Sequence, residues 1–139
     1  MPIDQFEQIV AEEFPLAIPE KFQSLIRNVG VLVERELSQE VRKEEGLGEH
    51  ETLLGLYHGI PATARGDVYG VGATLPDTII LYQAPIEEEA WHLAHGKAEL
   101  FVQSVRKVVR ETIWHEVAHH FGFSEAQVRR REQGRGDHS

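Results

Sequence analysis

Lys97 to Phe121 contains neither glycine nor proline, and Phe101, Val105, Val108, Val109 and Thr112 recur along it at helical spacing. Apolar residues at three- and four-residue intervals mark one face of an α-helix, so the stretch predicts a long amphipathic helix. At about 100° per residue, His115 and His119 continue the line of Phe101, Val105, Val108 and Thr112. The buried face therefore changes from aliphatic to imidazole in its last turns. The other face, polar at Gln103, Arg106, Lys107 and Arg110, becomes apolar at Trp114, Val117, Ala118 and Phe121. Such a pattern predicts last turns packed from behind, with two histidines facing a cleft.

Those turns and the residues after them read His115-Glu116-Val117-Ala118-His119-His120-Phe121-Gly122-Phe123-Ser124-Glu125, which is H-E-x-x-H, then glycine, then an acid. Residues four apart on a helix stand one above the other about 6 Å apart, so both imidazoles can reach one ion. His115 and His119 are the expected first two zinc ligands. Glu116 lies about 100° further round, off the ligand line, and is placed to take a proton from a zinc-activated water as general base. Chance alone yields H-E-x-x-H in roughly 6 of 100 shuffled chains, and in roughly 1 of 1,000 once the glycine and the acid are also required. Two lone helical histidines are usually partly buried side chains, with the intervening glutamate pairing an arginine. The full pattern on a credible helix outweighs that reading. His120, about 100° round from His119, is badly placed for the same ion and reads as a residue that supports the ligands from outside or simply packs.

Gly122 is expected to end the helix, because glycine readily takes the left-handed conformation of a helix C-terminal cap. A reversal there can bring Glu125 back toward the histidines as a third ligand, the part the last histidine plays in H-E-x-x-H-x-x-G-x-x-H enzymes. An alternative stands beside it. Ser124 can cap a new helix, with Gln127 completing a capping box and Glu125 favoured in the first turn by the helix dipole. The two readings are compatible.

Three blocks together carry a family resemblance: Leu53-Leu-Gly-Leu-Tyr-His-Gly-Ile-Pro61, Leu75-Pro-Asp-Thr-Ile-Ile-Leu-Tyr82, and His115 to Gly122 with the acid at Glu125. With them the chain, from about residue 18 to residue 128, resembles the minimal gluzincins, or mini-zincins. The third block is the specific one. The family pattern closes on Asp or Ser after the glycine, and this chain has Glu125 instead. The resemblance implies a zincin-like fold and metallopeptidase-like activity.

A chain of 139 residues with 41% hydrophobic content fits one domain with a real core, expected here over residues 1–139 with about 129–139 as a frayed tail. The formal charge of −9 argues against a protein built to coat nucleic acid. Without cysteine, any zinc site must be built from histidine and carboxylate. The N-terminus, with Asp4, Glu7, Glu12 and Glu13, lacks the basic and apolar regions of a signal peptide, and no apolar run approaches the 18 residues of a membrane span. The expectation is a cytoplasmic protein with no membrane partner.

Earlier in the chain, residues 3–14 predict a helix burying Phe6, Ile9, Val10 and Phe14, which Pro15 stops or bends. Residues 19–28 predict a second helix, opened by Pro19. Residues 29–36 alternate as a strand, and 53–58 and 78–83 read as two more. The charged segment 38–52 reads as a solvated loop or frayed turn. Residues 59–77 form a long connection in which Arg65 and Tyr69 are exposed candidates only. Pro85 and three acids open a short helix that His95 and Gly96 close; His92 and His95 suit a helix C-terminus better than a metal.

The expected architecture is α+β: N-terminal helices, a small three-stranded sheet and a long C-terminal helix carrying the site. The expected activity is zinc-dependent hydrolysis of a peptide or protein substrate. A non-catalytic binding or regulatory protein that keeps the fold is the alternative. A purely structural zinc needs four protein ligands and no glutamate base, and three ligands are visible, which favours the enzyme. A fourth ligand such as His58 or His92 would reverse this. For stabilising a developing oxyanion, Tyr57, His58 and Tyr82 are the candidates.

Overall fold

The structure, a computed structural model, describes residues 1–26, 28–59 and 77–122, without the side chain of Leu25. Helix α1 spans Ile3–Ala17 and buries Phe6, Ile9 and Val10 as the periodicity predicts. It does not stop at Pro15 but runs on to Ala17. The carbonyl that loses its partner to proline, that of Ala11, sits on an exposed residue where solvent can serve it. The second expected helix is a 3-10 helix, Glu20–Ile26, its first turn closed by the Phe22 N–H on the carbonyl of Pro19 at 2.8 Å.

Strand β1 (Val29–Glu34) follows, then a short helix α2 (Gln39–Glu44) within the segment expected to be a loop. Ser38 caps it, its hydroxyl accepting from the Val41 N–H at 3.1 Å. Arg42 organises what comes next by donating to the carbonyls of Gly48 (2.9 Å) and Glu51 (2.6 Å). A capped turn with no buried residue leaves no apolar periodicity, which is why the charge pattern concealed it.

Strands β2 (Gly55–His58) and β3 (Asp77–Tyr82) complete a three-stranded sheet in the order β1-β3-β2. β1 runs parallel to β3 and β2 antiparallel to it, with Val31 opposite Ile79 and Tyr57 opposite Ile79 on the other side. β3 passes straight into α3 (Gln83–Leu93), where Pro85 falls in the first turn and needs no N–H partner. His95 (φ 53°) and Gly96 (φ 72°) then reverse the chain into α4 (Ala98–His120).

α4 packs on α1, α3, β2 and β3. Its Val105, Val109, Ile113, Trp114 and Val117 meet Phe6 and Ile9 of α1, Ile79 and Leu81 of β3, and Ile86 and Ala90 of α3 in one core. Arg106 locks α1 to α4 by donating to Glu12 (2.7 Å) and Glu13 (2.9 Å), and Arg110 adds an ion pair to Glu13 at 3.0 Å. The mixed helix and sheet architecture is the expected α+β one. Among the described residues, no helix is long and apolar enough to cross a membrane.

Candidate active site

The last three turns of α4 carry the site. Trp114, Val117 and Ala118 are fully buried on its back, with the Trp114 ring stacked on Phe22 at 5.6 Å. That packing fixes the rotation of the helix, so His115, Glu116 and His119 line a cleft of about 490 Å³. Thr112 and Val108 extend its floor toward the start of α4; Leu53 and Leu54 form one wall, Glu89 and Leu93 of α3 the other.

The imidazoles of His115 and His119 stand with ring centroids 5.8 Å apart and planes tilted by 60°. A ring centroid lies about 3.2 Å from a zinc ion it ligates, so two rings sharing one at a tetrahedral angle are about 5.2 Å apart. The observed spacing is within a small side-chain rotation of that value, and the pair fits one ion. Glu125, the expected third ligand, lies outside the described residues, as do Arg65 and Tyr69. Among the described residues, no group of three histidine and acidic side chains is arranged to hold a metal.

Glu116 is held from the strand. Its Oε1 accepts the main-chain N–H of Tyr57 at 3.0 Å. Burial raises its carboxyl above the ordinary value, and the Tyr57 N–H and the imidazoles of His119 and His115 pull it part of the way back. A carboxylate in this position is a better proton acceptor than one in water.

β2 meets α4 at three regularly spaced points. A Cβ on Gly55 would lie 2.8 Å from Thr112 Cγ2, the Tyr57 N–H reaches Glu116, and a Cβ on Gly59 would lie 2.9 Å from His120 Cε1. The strand steps by two residues while the helix steps by four. Two strand residues advance about 6.6–6.8 Å and four helical residues about 6.0 Å, so strand and helix stay in step over this length. Glycine at both ends allows the approach.

Tyr57 is tied at its other end too. Its hydroxyl donates to Asp77 Oδ2 at 2.8 Å, and its ring lies flat on His120, with centroids 3.8 Å apart and planes at 15°. His120 is thus the packing residue expected from its place on the helix, with Nε2 3.9 Å from Asp77 Oδ2. Tyr82 is fully buried in the core, which removes it as a candidate for stabilising an oxyanion in the cleft. His58 is exposed at the end of β2, and His92 and His95 are exposed on and after α3; none of the three lines the cleft. The contribution of Tyr57 through its main chain escapes a reading of side chains. Its only trace in the sequence is a strand flanked by glycines, a sign of close backbone approach.

The family model for zincin-like metallopeptidases matches residues 26–135, which takes in the whole sheet and the site helix. No match is found among curated proteins. A match over most of the chain, including the helix that presents an H-E-x-x-H face to a cleft, makes this protein a member of the zincin-like metallopeptidase family.

Proposed function

We propose that this protein hydrolyses peptide bonds in a peptide or protein substrate, using zinc held by His115, His119 and Glu125, with Glu116 as general base. The observation that carries the proposal is the shared cleft: two imidazoles one turn apart, with a half-buried carboxylate beside them restrained by a main-chain donor. When bound, zinc supplies a Lewis acid that polarises the scissile carbonyl and lowers the pKa of water toward about 7. His115 and His119 present their ring nitrogens from a helix whose back is locked in the core. Gly122, at φ 73°, ends that helix in the left-handed conformation, which supports a return of Glu125 toward the histidines. Glu116 accepts the proton of the attacking water as the new C–O bond forms. It then delivers that proton to the leaving amine as the C–N bond breaks.

The test compares wild type with Glu116→Gln on fluorescein-labelled casein, with zinc supplied. Glutamine keeps the shape and an oxygen acceptor for Tyr57 but cannot take a proton. Fold and zinc affinity should be retained while turnover falls by about 10²- to 10⁴-fold. Equal turnover by the two proteins would eliminate Glu116 as the base, and no cleavage by wild type would favour the non-catalytic alternative.

A further inference from the structure

We infer that Tyr57 is the positioning residue of this site. Its main-chain N–H fixes Oε1 of Glu116 and so selects Oε2 as the oxygen that exchanges the proton, while its side chain anchors that N–H to the end of α4. The inference rests on the reading of Glu116 as the base. It starts from an asymmetry in the carboxylate: Oε1 is bonded to Tyr57, whereas no hydrogen bond to Oε2 is found among the described residues. A carboxylate on a two-carbon stem has rotamer freedom that this single donor removes for one oxygen.

The donor is well chosen for the task. In the antiparallel pair, Leu54 and its even-numbered neighbours face β3, as the Tyr82 N–H on the carbonyl of Leu54 at 3.0 Å attests. The Tyr57 N–H therefore points away from β3. Glu116 consumes a donor that costs the ladder nothing. The position of that N–H along the helix is set by contacts on both sides. Gly55 rests on Thr112, one turn before Glu116, and Gly59 rests on His120, one turn after it. Between them the Tyr57 ring is sandwiched flat on His120, edge-on to Phe121 at 6.2 Å, with its hydroxyl on Asp77 at the start of β3. Asp77 is on the central strand, so the bond fixes the tyrosine relative to the core rather than to the edge alone.

Amide hydrogen exchange on the purified full chain, with and without zinc chloride, tests this without reference to activity. In wild type the Tyr57 amide should be protected although it faces away from β3. Glu116→Ala should speed its exchange by about 10-fold or more while Leu56 and His58 stay protected by the ladder, and Glu116→Gln should restore the protection. Unchanged protection of Tyr57 in Glu116→Ala would overturn the inference. Should Glu116→Ala lose protection throughout, a scalar coupling across the hydrogen bond between the Tyr57 nitrogen and the Glu116 carboxyl carbon, measured in wild type, decides; its absence in well-resolved spectra counts against the bond. With labelled casein, Tyr57→Ala should lower kcat by about 10- to 100-fold at little-changed KM, and Tyr57→Phe, which keeps the stack on His120, should recover part of it. Casein left uncut by wild type would count against hydrolysis, while the exchange measurement would still decide the role of Tyr57.

Discussion

Replacing Gly55 with alanine probes the contact that sets β2 on the site helix. The added methyl would meet Thr112 Cγ2 at 2.8 Å, the carbonyl oxygen of Ile80 at 3.1 Å and Leu81 Cδ2 at 3.1 Å. None of the three yields easily. Thr112 is β-branched inside a helix and buried, Leu81 is fully buried, and the Ile80 oxygen belongs to the central strand. Overpacking of this kind costs about 1–3 kcal/mol. Gly55 does not require a positive φ, so alanine returns about 0.5–1 kcal/mol by restricting the unfolded chain. Set against each other, the two leave a net loss centred on about 1 kcal/mol and at most about 2.5 kcal/mol, which at the centre lowers Tm by about 3–4 °C for a chain of this size. Thermal unfolding followed by circular dichroism measures it. Combining Gly55→Ala with Thr112→Ser removes the opposing methyl, and a favourable coupling of at least about 0.5 kcal/mol is expected. Gly59→Ala should cost less, because the nearest atoms it meets belong to a single side chain, the imidazole of His120 at 36% exposure, rather than to three separate neighbours. A Gly55→Ala protein as stable as wild type would show that strand and helix do not approach this closely, and the register that delivers the Tyr57 N–H to Glu116 would fall with it.

Trp114→Ala should be severe, because the ring is fully buried behind the two histidines and stacks on Phe22. A loss of about 3–5 kcal/mol is a large part of a typical domain's 5–15, so a much lower denaturant midpoint is expected, and a shift under about 1 kcal/mol would contradict the packing described. Tyr82 governs an alkaline limb. Burial, reinforced by Glu34 and Glu45, raises its phenol above the ordinary value, and its oxygen has no hydrogen-bond partner among the described residues. A folded-state pKa raised above the unfolded one gives stability that is fully present below about pH 10 and lost as pH climbs through the folded value. Tyr82→Phe should therefore match or exceed wild type at neutral pH and resist unfolding above about pH 10, where wild type weakens; parallel pH profiles would refute the assignment.

Much of the site helix was legible because its signals repeat. The apolar line from Phe101 to Thr112 continues directly into His115 and His119, and the switch of the opposite face to Trp114, Val117 and Ala118 announced the packing that aims the histidines. Gly122 takes the left-handed conformation its type suggested. What stayed hidden is carried by groups with no side-chain identity or by partners distant in sequence. The donor to Glu116 is a peptide N–H, which any residue at position 57 but proline would supply. Gly55 and Gly59 acquire meaning only when Thr112 and His120 stand opposite them. Tyr82 is an oxyanion candidate by residue type alone, but β3 runs into α3 without a turn, and Tyr82 and Gln83 at the junction are both buried. α2 rests on one serine cap and one arginine, too little to register in a pattern of charges.

The most direct measurement of the central claim is the zinc stoichiometry of the full chain by isothermal titration with zinc chloride, for wild type and for the His115→Ala/His119→Ala double variant. Wild type should bind about one zinc per chain, and the double variant, still folded by circular dichroism because its core is untouched, should bind none at that site. An unchanged stoichiometry in the double variant would place the metal elsewhere and contradict the reading of this cleft as the catalytic centre.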